Sequence, residues 1–367
     1  MIDKRLEKLA YILIKHSLGI KKNDLFVIGG SHLAAPLIKE VYRQAVKLGA
    51  YPYTRIGIDG LAEIFYKDAS EKQLKYVSPI VKFEVENIDA RLSIICPENT
   101  RSMTNVDPKK QAITSAAQQE IHDIFLQRAA KKELRWSLTQ YPTNAAAQDA
   151  EMSLEEYEDF IFKAAHVNEK DPIGYWKKVY RDQEKIRKIL QSKKKLHVIS
   201  KDTDLTITTS GRKWINCYGK ENFPDGEVFT GPIETSADGY ISYSFPASHG
   251  GRIVEDIQLW FKKGKVVKAK ASKGEKFLNS MLDMDKGSRF IGEFSFGTNY
   301  GVKNYTMNTL FDEKIGGTIH IAVGSGYPET GSKNKSGLHW DMMCDLRKHG
   351  EVYADDELIY KNGKFLH

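Results

Sequence analysis

The sequence predicts an α/β N-terminal domain with an open, mostly parallel sheet, followed by a β-rich α+β C-terminal domain. Three observations carry this. The 367 residues, 41% of them apolar, are enough for two ordinary cores. From the first helix to about His166, short apolar runs alternate with stretches of helical period, the pattern of a parallel sheet with crossover helices. After Lys195 the texture changes to short apolar alternations separated by Gly, Asp, Asn and Ser.

The elements follow in order. Leu6, Leu9, Ala10 and Leu13 recur at helical spacing. Asp24–Gly30 reads as a buried strand that ends in a glycine turn. Ala35–Leu48 is a helix stopped by Gly49, and Pro52–Ile58 a strand. Ala62–Ser78 and Pro108–Lys132 are helical patterns, with the apolar strand Ala90–Cys96 between them. Arg135–Leu138 leads to a turn at Pro142. Ser153, with Glu156 three residues on, is a capping box that opens a helix to about His166. A basic helix spans Tyr175–Lys195, with Trp176, Val179, Tyr180, Ile186, Ile189 and Leu190 on its apolar side. The domains are therefore expected at 1–190 and 191–367. In the second, strands are expected at Leu196–Ser200, Leu205–Thr209, Gly239–Phe245, Ile257–Phe261 and Val266–Ala271, with a hairpin turn at Lys263-Gly264.

Composition narrows the function. The N-terminal twenty residues hold no uninterrupted apolar core, so no secretory signal is expected. No run approaches the ~18 apolar residues that span a bilayer, so no membrane partner is expected. Cys96, Cys217 and Cys344 are too few and too scattered for a disulfide framework, and a cytoplasmic location is the natural reading. The net charge is +7, but Tyr175–Lys195 alone holds nine basic and two acidic residues and so carries all of it. That is the solvated face of one helix, and no nucleic-acid partner is expected. Gly29-Gly30-Ser31 lacks the spacing of a dinucleotide-binding loop.

Groups able to bind metal concentrate late in the chain: Glu227, Glu293, Glu313, His320, His339 and Asp341. On a strand, His339 and Asp341 share a face while Trp340 takes the other. Carboxylates mixed with imidazoles suit Zn²⁺, Co²⁺ or Mn²⁺ better than Ca²⁺. Six ligands exceed one tetrahedral ion, and two ions about 3.5–4 Å apart would use them all. Each residue has a plainer alternative: solvated glutamates, a core histidine between Ile319 and Ile321, or a fortuitous His-x-Asp pair. His249, His349, Cys344 and Gly324-Ser325-Gly326 read as structural or turn residues.

The stretches NFPDGEVFTGP (222–232), LFDEKIGGTIHIAVG (310–324) and NKSGLHWD (334–341) resemble the aminopeptidase T and aminopeptidase S family of thermophilic-type metalloaminopeptidases. Arg5–Ala10 and Arg135–Ser153 resemble it too, so the likeness spans essentially the whole chain. The resemblance implies a metal-dependent aminopeptidase that hydrolyses the N-terminal peptide bond of peptides with a free N-terminus. The C-terminal domain is then the metal-binding catalytic one. Glu227, Glu293, Glu313, His320, His339 and Asp341 match the ligands of a two-metal centre. Tyr327 matches a further active-site residue. The implied cofactors are two divalent ions per chain (Zn, Co, Mn or Mg), and the implied assembly is a homodimer whose partner subunit helps to enclose the site. The roles expected on this reading are Glu293 or Glu313 as general base and Tyr327 as a hydrogen-bond donor to the oxyanion. The chain departs from the family pattern between its Asp-Glu pair and His320. Lys314 and then Ile315–Ile319 stand where the family has a shorter segment, often beginning Asp-Glu-Asn. Another two-metal hydrolase, such as a phosphoesterase, and a non-enzymatic binding protein with a structural metal are the competing readings.

Overall fold

The computed structural model describes residues 3–366, which form two compact units. The first runs to Ile173 and takes in Gly219–Pro224. Its sheet has the order Tyr51–Gly57, Leu25–Ser31, Ala90–Ile95, Arg135–Gln140, Asn222–Phe223, and every neighbouring pair is parallel. The Ser153 capping box forms in both directions, with Glu156 N 3.2 Å from Ser153 Oγ and Ser153 N 2.8 Å from Glu156 Oε2.

Three local expectations differ. Gly29 and Gly30 do not form a turn; the strand runs on through them to Ser31, paired with Arg55 and Ile56. A Cβ on Gly30 would come within 3.3 Å of the Ile38 side chain, so the sheet packs closely there. The helical pattern Ala62–Ser78 is two helices, Leu61–Asp68 and Glu71–Leu74, with a further helix at Pro79–Asn87. Ser70 and Ser78 each cap a new start, which interrupts the run. The pattern Pro108–Lys132 also divides, at Gln118. The basic helix spans Pro172–Ser192, and from Gly174 onward it belongs to the second unit, where Trp176, Gln183 and Leu190 are buried.

The second unit is built on two antiparallel sheets. One has eight strands, including Lys195–Ser200, Thr203–Thr208 and the Gln258–Lys262/Lys265–Lys270 hairpin, which turns at Lys263-Gly264 with both φ positive. The other has five strands, in the order His339–Asp345, Thr318–Gly324, Ile291–Gly297, Glu227–Thr230, Ile215–Cys217. Leu196, Val198, Leu205, Ile207 and Leu259 from the first sheet share one core with Phe294, Phe296, Ile319, Ile321 and Met342 from the second. One face of the five-stranded sheet is thus committed to packing, and its other face builds the site. Among the described residues, no helix is long and apolar enough to cross a membrane.

Candidate metal centre

Register decides what the second face carries. Glu227 lies opposite Gly297, Phe229 opposite Ser295, and Ser295 opposite His320. Ala322 lies opposite both Glu293 and Asp341, and Gly324 opposite His339. Paired residues point to the same side of a sheet, and so do residues two apart along a strand. Glu227, Glu293, Ser295, His320, His339 and Asp341 therefore project from one face, while Val228, Phe294, Ile319, Ile321, Trp340 and Met342 enter the core behind it.

A bulge sets Glu293. The register shifts between Ile291 and Glu293, so Ile291 stays in the core while Glu293 turns to the site. Gly292 permits this, because a Cβ there would lie 2.5 Å from the carbonyl oxygens of Gly324 and Ser325.

Glu313 arrives from outside the sheet, just after the short helix Thr309–Asp312. Asp312 anchors that turn by accepting hydrogen bonds from Thr306 N (2.7 Å), Thr306 Oγ1 (2.9 Å) and Asn308 N (2.8 Å). The bare face at Gly297 leaves room for the segment. A Cβ on Gly297 would sit 2.2 Å from the Ile315 carbonyl oxygen and 3.1 Å from that of Glu313. The lengthened Lys314–Ile319 connection therefore still delivers Glu313 to the cluster.

All six residues singled out in the sequence converge. Potential ligand atoms of Glu227, Glu293 and His320 lie within 4.8 Å of one another, as do those of Glu293, His339 and Asp341, and those of Glu313, His320 and Asp341. The Glu293 oxygens stand 3.4 Å from His320 Nε2 and 3.5 Å from His339 Nε2. His339 Nε2 is 3.5 Å from Asp341 Oδ2.

The site fits a divalent cation. His320 Nδ1 donates to the Glu313 carbonyl (3.2 Å) and His339 Nδ1 to the Ser325 carbonyl (2.7 Å). Backbone acceptors of this kind fix the ring and leave Nε2 for a metal. Asp341 Oδ1 is buried without a hydrogen-bond partner among the described residues. Such an atom is costly to bury unless something meets it.

The titrations express the same crowding. Burial opposes charge on His320, but its contact with Glu293 and the charges of Glu227, Glu293 and Asp341 push it up to about 9. Against the same opposition, Asp341 and Glu293 push His339 up to about 10. Burial raises Asp341, but the His339 imidazole outweighs it and holds the carboxyl well below the usual range. Burial raises Glu293, and it pushes Glu313 up to about 8.

Tyr327 borders the cluster, with ring centroids 5.4 Å from Phe229 and 5.2 Å from His339, and remains 42% exposed. Burial of its hydroxyl, with Glu293 and Asp341 nearby, raises its pKa far above the ordinary value. His249 ends the short strand Ala247–His249, its ring 5.2 Å from Trp340. The residues not foreseen are Lys314, Asp225 and Ser295. Lys314 Nζ lies 2.5 Å from both Glu227 Oε1 and Glu313 Oε1, and 3.7 Å from Asp225 Oδ1. Ser295 Oγ donates to Glu227 Oε2 at 3.0 Å. Only the unusual lysine beside Glu313 signalled any of this in the sequence.

The sequence pattern of the thermophilic metalloproteases (M29) matches residues 2–365. Aminopeptidase AmpS of Bacillus subtilis is 27% identical, over 99% of this chain and 98% of that one. Aminopeptidase T of Thermus thermophilus is 26% identical, over 98% and 96%. Among solved structures, AmpT from Thermus thermophilus superposes with a TM-score of 0.86 at 23% identity, over 100% of both chains. A 2,5-dihydroxypyridine dioxygenase from Pseudomonas putida superposes with a TM-score of 0.61 at 14% identity, over 99% and 96%. At these identities the structural likeness is one of fold. It matches the expected pairing of a parallel α/β part with a β-rich C-terminal part.

Proposed function

The chain belongs to the thermophilic metalloprotease (M29) family, and from that premise we propose that it is a metal-dependent aminopeptidase with a two-ion centre. The observation that carries this reading is the convergence of the Nε2 atoms of His320 and His339 on the Glu293 carboxylate, with Glu227, Glu313 and Asp341 around them. Glu293, His339 and Asp341 would hold one ion. Glu227, Glu293, His320 and Glu313 would hold the other, with Glu293 shared.

When bound, the divalent ions (Zn²⁺, Co²⁺, Mn²⁺ or Mg²⁺) supply a Lewis acid that can bring a water pKa from ~15.7 to about 7 and polarise a carbonyl. The chain's own residues do the rest. Glu293 and Glu313 are the carboxylates placed to take the proton of the attacking water. The Tyr327 hydroxyl donates to the oxyanion as the peptide carbonyl becomes tetrahedral, a contribution of roughly 3 kcal/mol. A carboxylate of the cluster pairs with the free α-amine of the substrate, which restricts cleavage to the N-terminal bond.

We assign a homodimer as the assembly. Ile58, Leu61, Ile64, Ile80 and Phe83 are exposed apolar residues of the first unit available to a partner. The three free cysteines agree with a cytoplasmic setting.

The test is one assay. Leucine, phenylalanine and proline arylamides, with an aryl phosphate beside them, are offered to the chelated protein after refilling with each ion. Metal-dependent release from an arylamide and none from the phosphate is expected. Phosphate cleavage alone, or no chelator-sensitive hydrolysis, would overturn the reading.

A further inference from the structure

We propose that the Lys314 ammonium is a built-in competitor for one of the two ion positions, so that the centre fills in two unequal steps. The inference rests on the reading of the cluster as a divalent-metal site and assigns its two ends different occupancy.

At the Glu293–His339–Asp341 end, no lysine or arginine among the described residues makes an ion pair. Glu293 meets the imidazoles of His320 at 3.4 Å and His339 at 3.5 Å, and Asp341 Oδ2 lies 3.5 Å from His339 Nε2. At the Glu227–Glu313 end, a cation is already present. Lys314 is 1% exposed, and its ammonium sits 2.5 Å from one oxygen of each glutamate, with Asp225 Oδ1 3.7 Å away. The second oxygen of Glu227 is taken by the Ser295 hydroxyl at 3.0 Å. An ion that used Glu227 and Glu313 would have to displace the ammonium from both.

The lysine is held in place by its backbone. Asn299 N donates to the Lys314 carbonyl at 2.9 Å, and Asn299 Nδ2 donates to the Asp225 carbonyl at 2.8 Å. An ammonium this buried is stabilised by the carboxylates it touches, so leaving them is costly. The Glu293–His339–Asp341 end therefore takes its ion first and keeps it. The Glu227–Glu313 end takes its ion late and weakly.

The experiment titrates chelated full-length protein with Mn²⁺ and follows heat and electron paramagnetic resonance. We expect two steps, the second at least about 100-fold weaker, as befits an ion that must displace another cation from buried carboxylates. The first equivalent should give an isolated-Mn²⁺ spectrum, and exchange coupling should appear only with the second. In Lys314→Met the second step should tighten to within about tenfold of the first. Two equally tight ions in the wild type would overturn the inference, as would an unchanged second step in a folded Lys314→Met or Lys314→Gln protein. If neither variant folds, the wild-type titration decides alone. Failure to bind any Mn²⁺ would overturn the metal reading itself, and the inference with it.

Discussion

The two faces of the five-stranded sheet share the same backbone and serve opposite ends. On one face, Phe294, Phe296, Ile319 and Ile321 close a core with the eight-stranded sheet. On the other, the carboxylates of Glu227, Glu293 and Asp341 gather around His320, a cluster that is costly to desolvate unless its charges are paired. Alternate residues of one strand thus divide between stability and chemistry. The packed face keeps the strands in the register on which the charged face depends. The two kinds of contribution should therefore separate by mutation.

The largest effect is expected on the charged face. Asp341→Ala should lose bound metal and bring arylamide hydrolysis down to the level of the chelated protein. Metal analysis beside kcat/KM would decide it, and a variant that kept both ion and turnover would end the assignment of Asp341.

On the packed face, Phe294→Ala should cost about 3–5 kcal/mol of unfolding free energy, because the side chain is fully buried. Metal content per folded chain should stay the same. A loss of metal without a loss of stability would break the division between the faces.

Gly292→Ala joins the two. Its Cβ would press on two carbonyl oxygens at 2.5 Å, so the bulge must shift and take Glu293 with it. Metal affinity and Tm should fall together, by more than either does in an exposed-loop control.

Acidity gives a subtler contrast. Glu293 and Asp341 keep His320 at about 9 and His339 at about 10 in the metal-free protein. A histidine raised above its unfolded value of about 6.5 stabilises below that value and loses the contribution as pH climbs through the folded one. Glu313, raised by burial to about 8, adds a loss in the same direction from its ordinary 4.5 upward. Metal-free Tm should decline between pH 6.5 and 10. The stabilisation conferred by metal should grow over the same interval, because ligation requires neutral imidazoles. Parallel melts with and without chelator would show the two trends diverging.

The smallest effect belongs to Ser295→Ala, which frees one oxygen of Glu227. Orienting partners of this kind are worth 10–100-fold in metal affinity. The change here should lie near the lower end, because Lys314 still holds the other oxygen.

The N-terminal half was legible in its alternation of strands and helices, though its two long helical runs divide at Ser70 and at Gln118. The Ser153–Glu156 box and the Leu25–Ser31 and Ala90–Ile95 strands stand close to where their residue patterns place them. The strands of the site were not. Glu293-Phe294-Ser295-Phe296 and Thr318-Ile319-His320-Ile321 do alternate polar and apolar residues, but each run is only four residues long, and both strands are buried at every position rather than half-exposed. His339-Trp340-Asp341 has the same two-residue period, and the sequence reading used it only to say that on a strand the imidazole and the carboxylate would share a face. The six candidate ligands were found through residue type and family resemblance rather than through local pattern.

The sequence by itself determined which side chains could ligate a metal, the parallel and β-rich halves, and the family to which the motifs point. The tertiary structure alone decided how those side chains meet. Glu227 and Lys314 touch across 87 positions of sequence. Glu293 faces the site only because a bulge at Gly292 turns it there, and Glu313 reaches it only because Gly297 leaves the sheet bare. Periodicity reports the direction of a side chain relative to its own strand. Which strands lie side by side, and in what register, is fixed by packing among residues distant in the chain. That packing turned a scatter of carboxylates and histidines into one cluster with a lysine at one end.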